Sequence, residues 1–136
     1  MFYQVTVAYN QIQRNCTVKR CRAQVITDVD LFGEAEYNAM ENFKNQDDLD
    51  VVAAKRLPRL KEIANNINNG EHFFMATLSA LFVDEKSGKE SKTKYDVLVS
   101  ADHIDDAHRI IREYMKQGLQ DLLLEEIKST PIVDII

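Results

Sequence analysis

Two stretches of this chain follow the same pattern. Val25-Ile26-Thr27-Asp28-Val29-Asp30-Leu31-Phe32-Gly33-Glu34-Ala35 aligns with Val97-Leu98-Val99-Ser100-Ala101-Asp102-His103-Ile104-Asp105-Asp106-Ala107 at an offset of 72 residues. Identical or similar residues meet at Val25/Val97, Ile26/Leu98, Asp30/Asp102, Phe32/Ile104, Glu34/Asp106 and Ala35/Ala107. Further on, Lys55-Arg56-Leu57-Pro58 aligns with Lys128-Ser129-Thr130-Pro131 at an offset of 73. Two matches in the same order at nearly the same offset point to an internal repeat, with a one-residue slip in a loop. A repeated unit of this size, built from one sheet and one helix, leaves one sheet face poorly covered on its own. The two halves are therefore expected to pack together.

Each half reads strand, strand, helix, strand. Tyr3, Val5, Val7 and Tyr9 alternate with Phe2, Gln4, Thr6 and Ala8, which is the period of a strand with one apolar face. Thr17 to Thr27 is the second strand, with Cys21, Ala23 and Val25 on one face and Arg20, Arg22 and Gln24 on the other. Leu31, Ala35, Ala39 and Phe43 form a helical stripe that Asp30 would cap and Asp47-Asp48 would end. Leu49 to Leu57 returns as a strand. The second half repeats the plan. Phe74, Ala76, Leu78, Ala80 and Phe82 share one face of a strand; Asp84-Glu85-Lys86-Ser87-Gly88-Lys89 turns; Thr93, Tyr95, Val97 and Val99 share the partner face. Asp102 would cap a helix carrying Ile104, Ala107, Ile111 and Met115, with Asp105 completing a capping box and Gly118 closing the helix. Leu122 to Ile127 is the next strand, and Pro131 to Ile136 is an apolar tail that reads as an edge strand. Between the halves, Leu60, Ile63 and Ala64 suggest a short helical turn, and Asn65 to Gly70 reads as a loop. The expected fold is a single α+β domain, residues 1–136, made of tandem strand-strand-helix-strand repeats (1–63 and 71–136, linker 64–70) with antiparallel sheet and pseudo-twofold internal symmetry.

Composition narrows the class. A hydrophobic share of 45% and a charged share of 29% are those of an ordinary globular domain. Two Cys cannot build a disulfide framework, so the chain reads as reduced and intracellular. The opening Met1-Phe2-Tyr3-Gln4-Val5 has no basic n-region of a signal peptide. The longest apolar run, Phe73 to Val83, is too short to span a bilayer.

Catalytic chemistry finds little support. His103 and His108 flank Asp105 and Asp106 but share no helix face well, and no HExxH is present. Cys16 and Cys21 form no CxxC and have no base beside them in sequence. Gly33, Gly70, Gly88 and Gly118 are isolated, so neither GxGxxG nor a P-loop exists. No catalytic residue, metal ligand or cofactor is assigned.

Charge placement is more informative. The net charge of −5 divides into +4 over residues 1–27, −7 over 28–50, +3 over 51–62 and −5 over 95–136. Strands and hairpins are basic, while helical regions are acidic. A helix covering one sheet face would leave Arg20, Arg22, Arg56, Lys92 and Lys94 on the other, an anion-binding or partner-binding surface. Phe2 and Phe73 are the aromatics that could stack bases beside it. The bland alternative is a solvated antiparallel face whose cations discourage edge pairing.

The pattern Phe2-Tyr3-x-Val5-x-Val7-x-Tyr9, the turn Asp84 to Glu90, the strand Tyr95 to Ala101 and the tail Ile127-x-x-Thr130-x-Ile132-x-Asp134 resemble a small domain-of-unknown-function family carried by Bacteroidetes and by phages that infect them. Lys55-Arg56-x-x-Arg59-x-x-Glu62-Ile63 is similar too, whereas residues 10–16 depart from the pattern. The family has no assigned reaction, so the resemblance carries no catalytic residue across. It implies a cytoplasmic setting in a bacterial host cell. The expected function is a non-enzymatic, homo-oligomeric binding module, such as a phage accessory protein engaging a host protein or sequestering a nucleotide. The alternatives are a nucleic-acid-binding protein using the basic sheet face and, third, a small metal-dependent hydrolase. No membrane partner is expected.

Overall fold

In chain order the elements are β1 (Phe2–Ile12), β2 (Val18–Asp28), α1 (Phe32–Asn42), β3 (Asp47–Arg56) and β4 (Leu60–Ile63), then β5 (His72–Val83), β6 (Glu90–Ala101), α2 (Ile104–Lys116), β7 (Leu122–Ser129) and β8 (Ile132–Ile135). A computed structural model describes residues 1–64, 70–118 and 121–136; most of the Asn-rich loop expected at 65–70 lies outside the described residues. The α+β class is as the periodicity indicates. The expected antiparallel sheet is corrected to two mixed four-stranded sheets, with the orders β3-β1-β2-β8 and β4-β6-β5-β7, because β8 and β4 join parallel to β2 and β6. Among the described residues, no helix is long and apolar enough to cross a membrane.

The chain divides into two compact units: Met1–Pro58 with Pro131–Ile136, and Arg59–Thr130. In each unit a hairpin forms the centre of the sheet, β1 with β2 or β5 with β6. The strand after the helix, β3 or β7, joins antiparallel beside the first hairpin strand. A four-residue strand joins parallel beside the second. That short strand is not the unit's own continuation. β4 begins two residues after Pro58 yet pairs with β6, and β8 follows Pro131 yet pairs with β2. The tail is thus an edge strand, as its composition suggests, and it completes the sheet of the N-terminal unit.

Alternation builds each core. In the N-terminal unit Tyr3, Val5, Val7, Ala23 and Val25 meet Ala35 and Ala39 of α1. In the other, Phe74, Ala76, Leu78, Val97, Val99 and Ala101 meet Ala107 and Ile111 of α2. Small residues on each helix let it lie close to the sheet, and each fully buried Val, Leu or Ile contributes about 1.5–3 kcal/mol. Tyr9 stacks on Phe43 with ring centroids 6.0 Å apart. The Tyr114 hydroxyl of α2 donates to the Glu62 carboxylate of β4, and burial together with that carboxylate raises the phenol above its usual range.

Several local expectations are corrected. The helix N-caps are Leu31 and His103, both extended and without side-chain capping bonds, so Asp30 and Asp102 stand one residue too early. The Asp102 carboxylate instead accepts the Glu71 backbone N–H at 3.0 Å. Helix α1 closes at Phe43, and Asp47-Asp48 already open β3 rather than end the helix. Helix α2 closes at Gln117, one residue before Gly118. Residues 60–63 are strand, not helical turn. Leu60 pairs with Asp96 and Glu62 with Val97, so a register shift at Lys61 breaks the alternation and makes Leu60 and Ile63 look helically spaced.

The faces opposite the helices are not simply solvated. Ile26 and Leu98 lie there and are fully buried, and Ser79 is buried as well. Phe73 is only 4% exposed, so its ring is not offered for stacking.

Candidate binding surface

The five cations singled out from the sequence fall in two different sheets. Arg20, Arg22 and Arg56 belong to the N-terminal unit, while Lys92 and Lys94 belong to the other. Within the N-terminal unit Arg56 is on the wrong side. It pairs with Tyr3, and directly opposed residues in an antiparallel pair share a face, so Arg56 lies on the helix-bearing side. The cause is a bulge. Thr6 pairs with Ala53 but Val7 pairs with Val51, so Val52 is the extra residue.

Arg20 is already occupied. Its guanidinium donates to the Asp48 backbone carbonyl at 2.6 Å, to Asn10 Oδ1 at 3.2 Å and to the Asp48 carboxylate at 3.3 Å. Asp48 has a φ of 52°, a left-handed conformation that Asp tolerates better than most residues. Arg20 therefore clamps an irregular strand entry. Arg22 pairs with Ala8 on the face away from the helix.

The other unit carries a built surface. Lys94 pairs with Ser79 and Lys92 with Leu81, both on the face opposite α2. There Arg59, Thr77, Lys94, Asp96, Glu125, Glu126 and Lys128 line an open groove of about 440 Å³. Its charges are interleaved. Arg59 Nη2 reaches Asp96 Oδ1 at 3.4 Å, and the same oxygen accepts the Thr77 hydroxyl at 2.9 Å. The buried Ser79 hydroxyl donates to Glu125 Oε1 at 2.7 Å.

Glu125 owes this position to a second bulge. Leu78 pairs with Leu124 but Thr77 with Glu126, so Glu125 is the extra residue. It stands 73 residues after the bulge at Val52. The Ser79 hydroxyl, then Lys94 and Lys92, hold its carboxyl below the ordinary carboxylate range. A lowered folded-state value adds stability above the ordinary range, lost as the pH falls through the lowered value. Replacing Ser79 by Ala is expected to return the Glu125 titration toward the ordinary value in a carboxyl-selective NMR titration. An unmoved midpoint would show that the lysines alone set it.

Glu125, Asp96, Arg59 and Lys128 were not among the residues singled out from sequence. A signal existed for the bulge: Leu122 and Leu124 alternate, but the next apolar residue is Ile127, an odd step away. The remaining candidates stay separate. Asp105, His108, Arg109, Arg112, Glu113 and Lys116 line an open stretch along α2 itself. Among the described residues no group of three or more His, Cys, Asp or Glu side chains could hold a metal ion. Cys16 is exposed, and Cys21, half-buried, donates weakly to Gln11 Oε1 at 3.4 Å.

No curated protein and no solved structure matches this chain. A family model described as a domain of unknown function (DUF4494) matches residues 1–136, and the chain belongs to that family.

Proposed function

We propose that this chain is a non-enzymatic binding module whose groove on the sheet face opposite α2, in the Arg59–Thr130 unit, takes a protein partner carrying both signs of charge. The observation that carries this reading is the interleaving of Arg59, Lys94 and Lys128 with Asp96, Glu125 and Glu126 around one groove. A phosphate-binding surface needs uncompensated cations, because its affinity comes from neutralising phosphates and releasing counterions. Here carboxylates stand between the cations. Polar, mixed-charge surfaces of this sort set register and specificity in protein contacts. The nucleic-acid reading is weakened in the same way at Arg20, which Asp48 already neutralises.

We also read the chain as two tandem copies of one unit with pseudo-twofold symmetry. The shared strand order, the bulges at Val52 and Glu125, and the prolines at 58 and 131 support it. A cytoplasmic setting in a bacterial or phage-infected cell goes with this reading and rests on the family likeness alone.

Native mass spectrometry of the chain purified from its own host tests the function. The expected result is a protein subunit that is retained by the wild type and lost from an Arg59→Glu/Glu125→Lys variant. A nucleotide or nucleic acid retained instead, lost on Arg20→Glu/Arg22→Glu and at raised salt, would overturn it.

A further inference from the structure

The two helices differ on their outward faces. On α2 that face is charged in both signs, with Asp105, His108, Arg109, Arg112, Glu113 and Lys116 along it. Ile104 is the only exposed large hydrophobic residue there. On α1 the outward side carries large apolar side chains between carboxylates, with Glu34 and Glu41 exposed beside them. Phe32 is 49% exposed, Tyr37 64% and Met40 52%. At helical spacing Phe32, Met40 and Tyr37 fall on one side, next to the buried Ala35–Ala39 stripe. Phe32 is partly propped by Tyr3, whose ring it meets edge-on at 6.2 Å. Three large apolar side chains within one arc of a short helix are denser than scattered surface residues and mark a candidate interaction site.

The surroundings select the occupant. Glu34, Glu36 and Glu41 lie on the helix among or beside these residues, and no basic residue stands in its last turn. Lys44 lies near Glu41 at 4.0 Å, and it is the lone cation against eight carboxylates between residues 28 and 50. A second copy docking through the same face would set these acids against themselves, and like charges across an interface cost several kcal/mol. An anionic lipid surface is repelled for the same reason.

We propose that the outward face of α1 docks a cationic amphipathic helix of a partner protein, whose apolar stripe covers Phe32, Tyr37 and Met40 while flanking Lys or Arg meet Glu34, Glu36 and Glu41. This surface is separate from the groove on the other unit, and it stands or falls independently of it.

The probe is a labelled three-heptad peptide with Leu at the apolar positions and Lys elsewhere. Its control carries Glu in place of every Lys. Fluorescence anisotropy with the full chain should show saturable 1:1 binding of the Lys peptide and none of the Glu peptide. A Tyr37→Ser/Met40→Ser variant should bind at least about tenfold more weakly, as loss of central aromatic and apolar anchors does elsewhere. Glu34→Gln/Glu36→Gln/Glu41→Gln should weaken binding and flatten its salt dependence. Arg109→Ser/Arg112→Ser on α2 should leave it unchanged, and the Tyr37/Met40 and Arg109/Arg112 variants, whose side chains are exposed, should melt close to the wild type. Four results would overturn the proposal: no binding of the Lys peptide, equal binding of both peptides, unchanged binding by the Tyr37/Met40 variant, or a wild-type dimer that Met40→Ser dissociates.

Discussion

Removing residues 131–136 is expected to destabilise the opposite end of the chain. The deletion takes away β8, whose partner is β2, through the pairs Gln24–Ile132, Val25–Asp134 and Ile26–Ile135. Ile132 is buried, and Ile136 packs at the margin of the N-terminal core and donates its N–H to the Ile26 carbonyl at 2.9 Å. Losing one buried Ile and several ladder bonds costs about 3 kcal/mol or more. In a unit of this size each kcal/mol lowers the melting temperature by roughly 4–8 °C. Hydrogen exchange read by mass spectrometry should show peptides from β1 and β2 losing protection, while β5 and β6 keep theirs. Uniform loss, or loss confined to the Arg59–Thr130 unit, would mean that β8 does not hold the sheet it pairs with.

Gly70→Ala should be nearly as damaging. A Cβ there would sit 2.2 Å from the Ala101 carbonyl carbon, 2.4 Å from its Cα and 2.6 Å from the Asp102 nitrogen. All three are backbone atoms that cannot swing aside. To fit, the segment must withdraw, and two contacts go with it. The Gly70 N–H donates to the buried Ser100 hydroxyl at 3.0 Å, and that hydroxyl donates back to the Gly70 carbonyl at 3.2 Å. Overpacking and stranded polar groups together cost about 2–4 kcal/mol. The urea midpoint should fall with the slope unchanged. Gly33→Ala is the matched control. Nothing lies within 4 Å of its Cβ position in α1, so helix propensity should leave stability unchanged or raise it by up to about 1 kcal/mol. A Gly70→Ala protein as stable as the control would show that the close approach is not maintained.

The parts of this fold that local periodicity governs are readable from residues. Val5, Val7, Val97 and Val99 alternate into cores, and Ala35, Ala39, Ala107 and Ile111 mark the buried helix faces. What escapes such reading is non-local or compensated. Nothing in Leu60 or Ile132 names the strand each joins, because pairing partners are chosen by the assembled sheet. The bulge at Val52 reverses the side on which Arg56 falls, and simple alternation carried past a bulge assigns every later residue to the wrong face. Charges counted along the chain also mislead. Arg20 reads as free until Asp48, 28 residues away, folds against it. The groove on the second unit is half legible in the sequence: charge placement marks Lys94, but not Glu125 and Asp96, which change its meaning.

The handing over of β8 also has a consequence in time. As the chain grows from its N-terminus, β1, β2, α1 and β3 emerge together, but Ile26 must wait for Ile135. Until then β2 has an open flank beside a hydrophobic core, the kind of edge that recruits stray strands. The N-terminal unit is therefore the first to be made and the last to be closed. Over that interval the open edge of β2 is where stray pairing would begin.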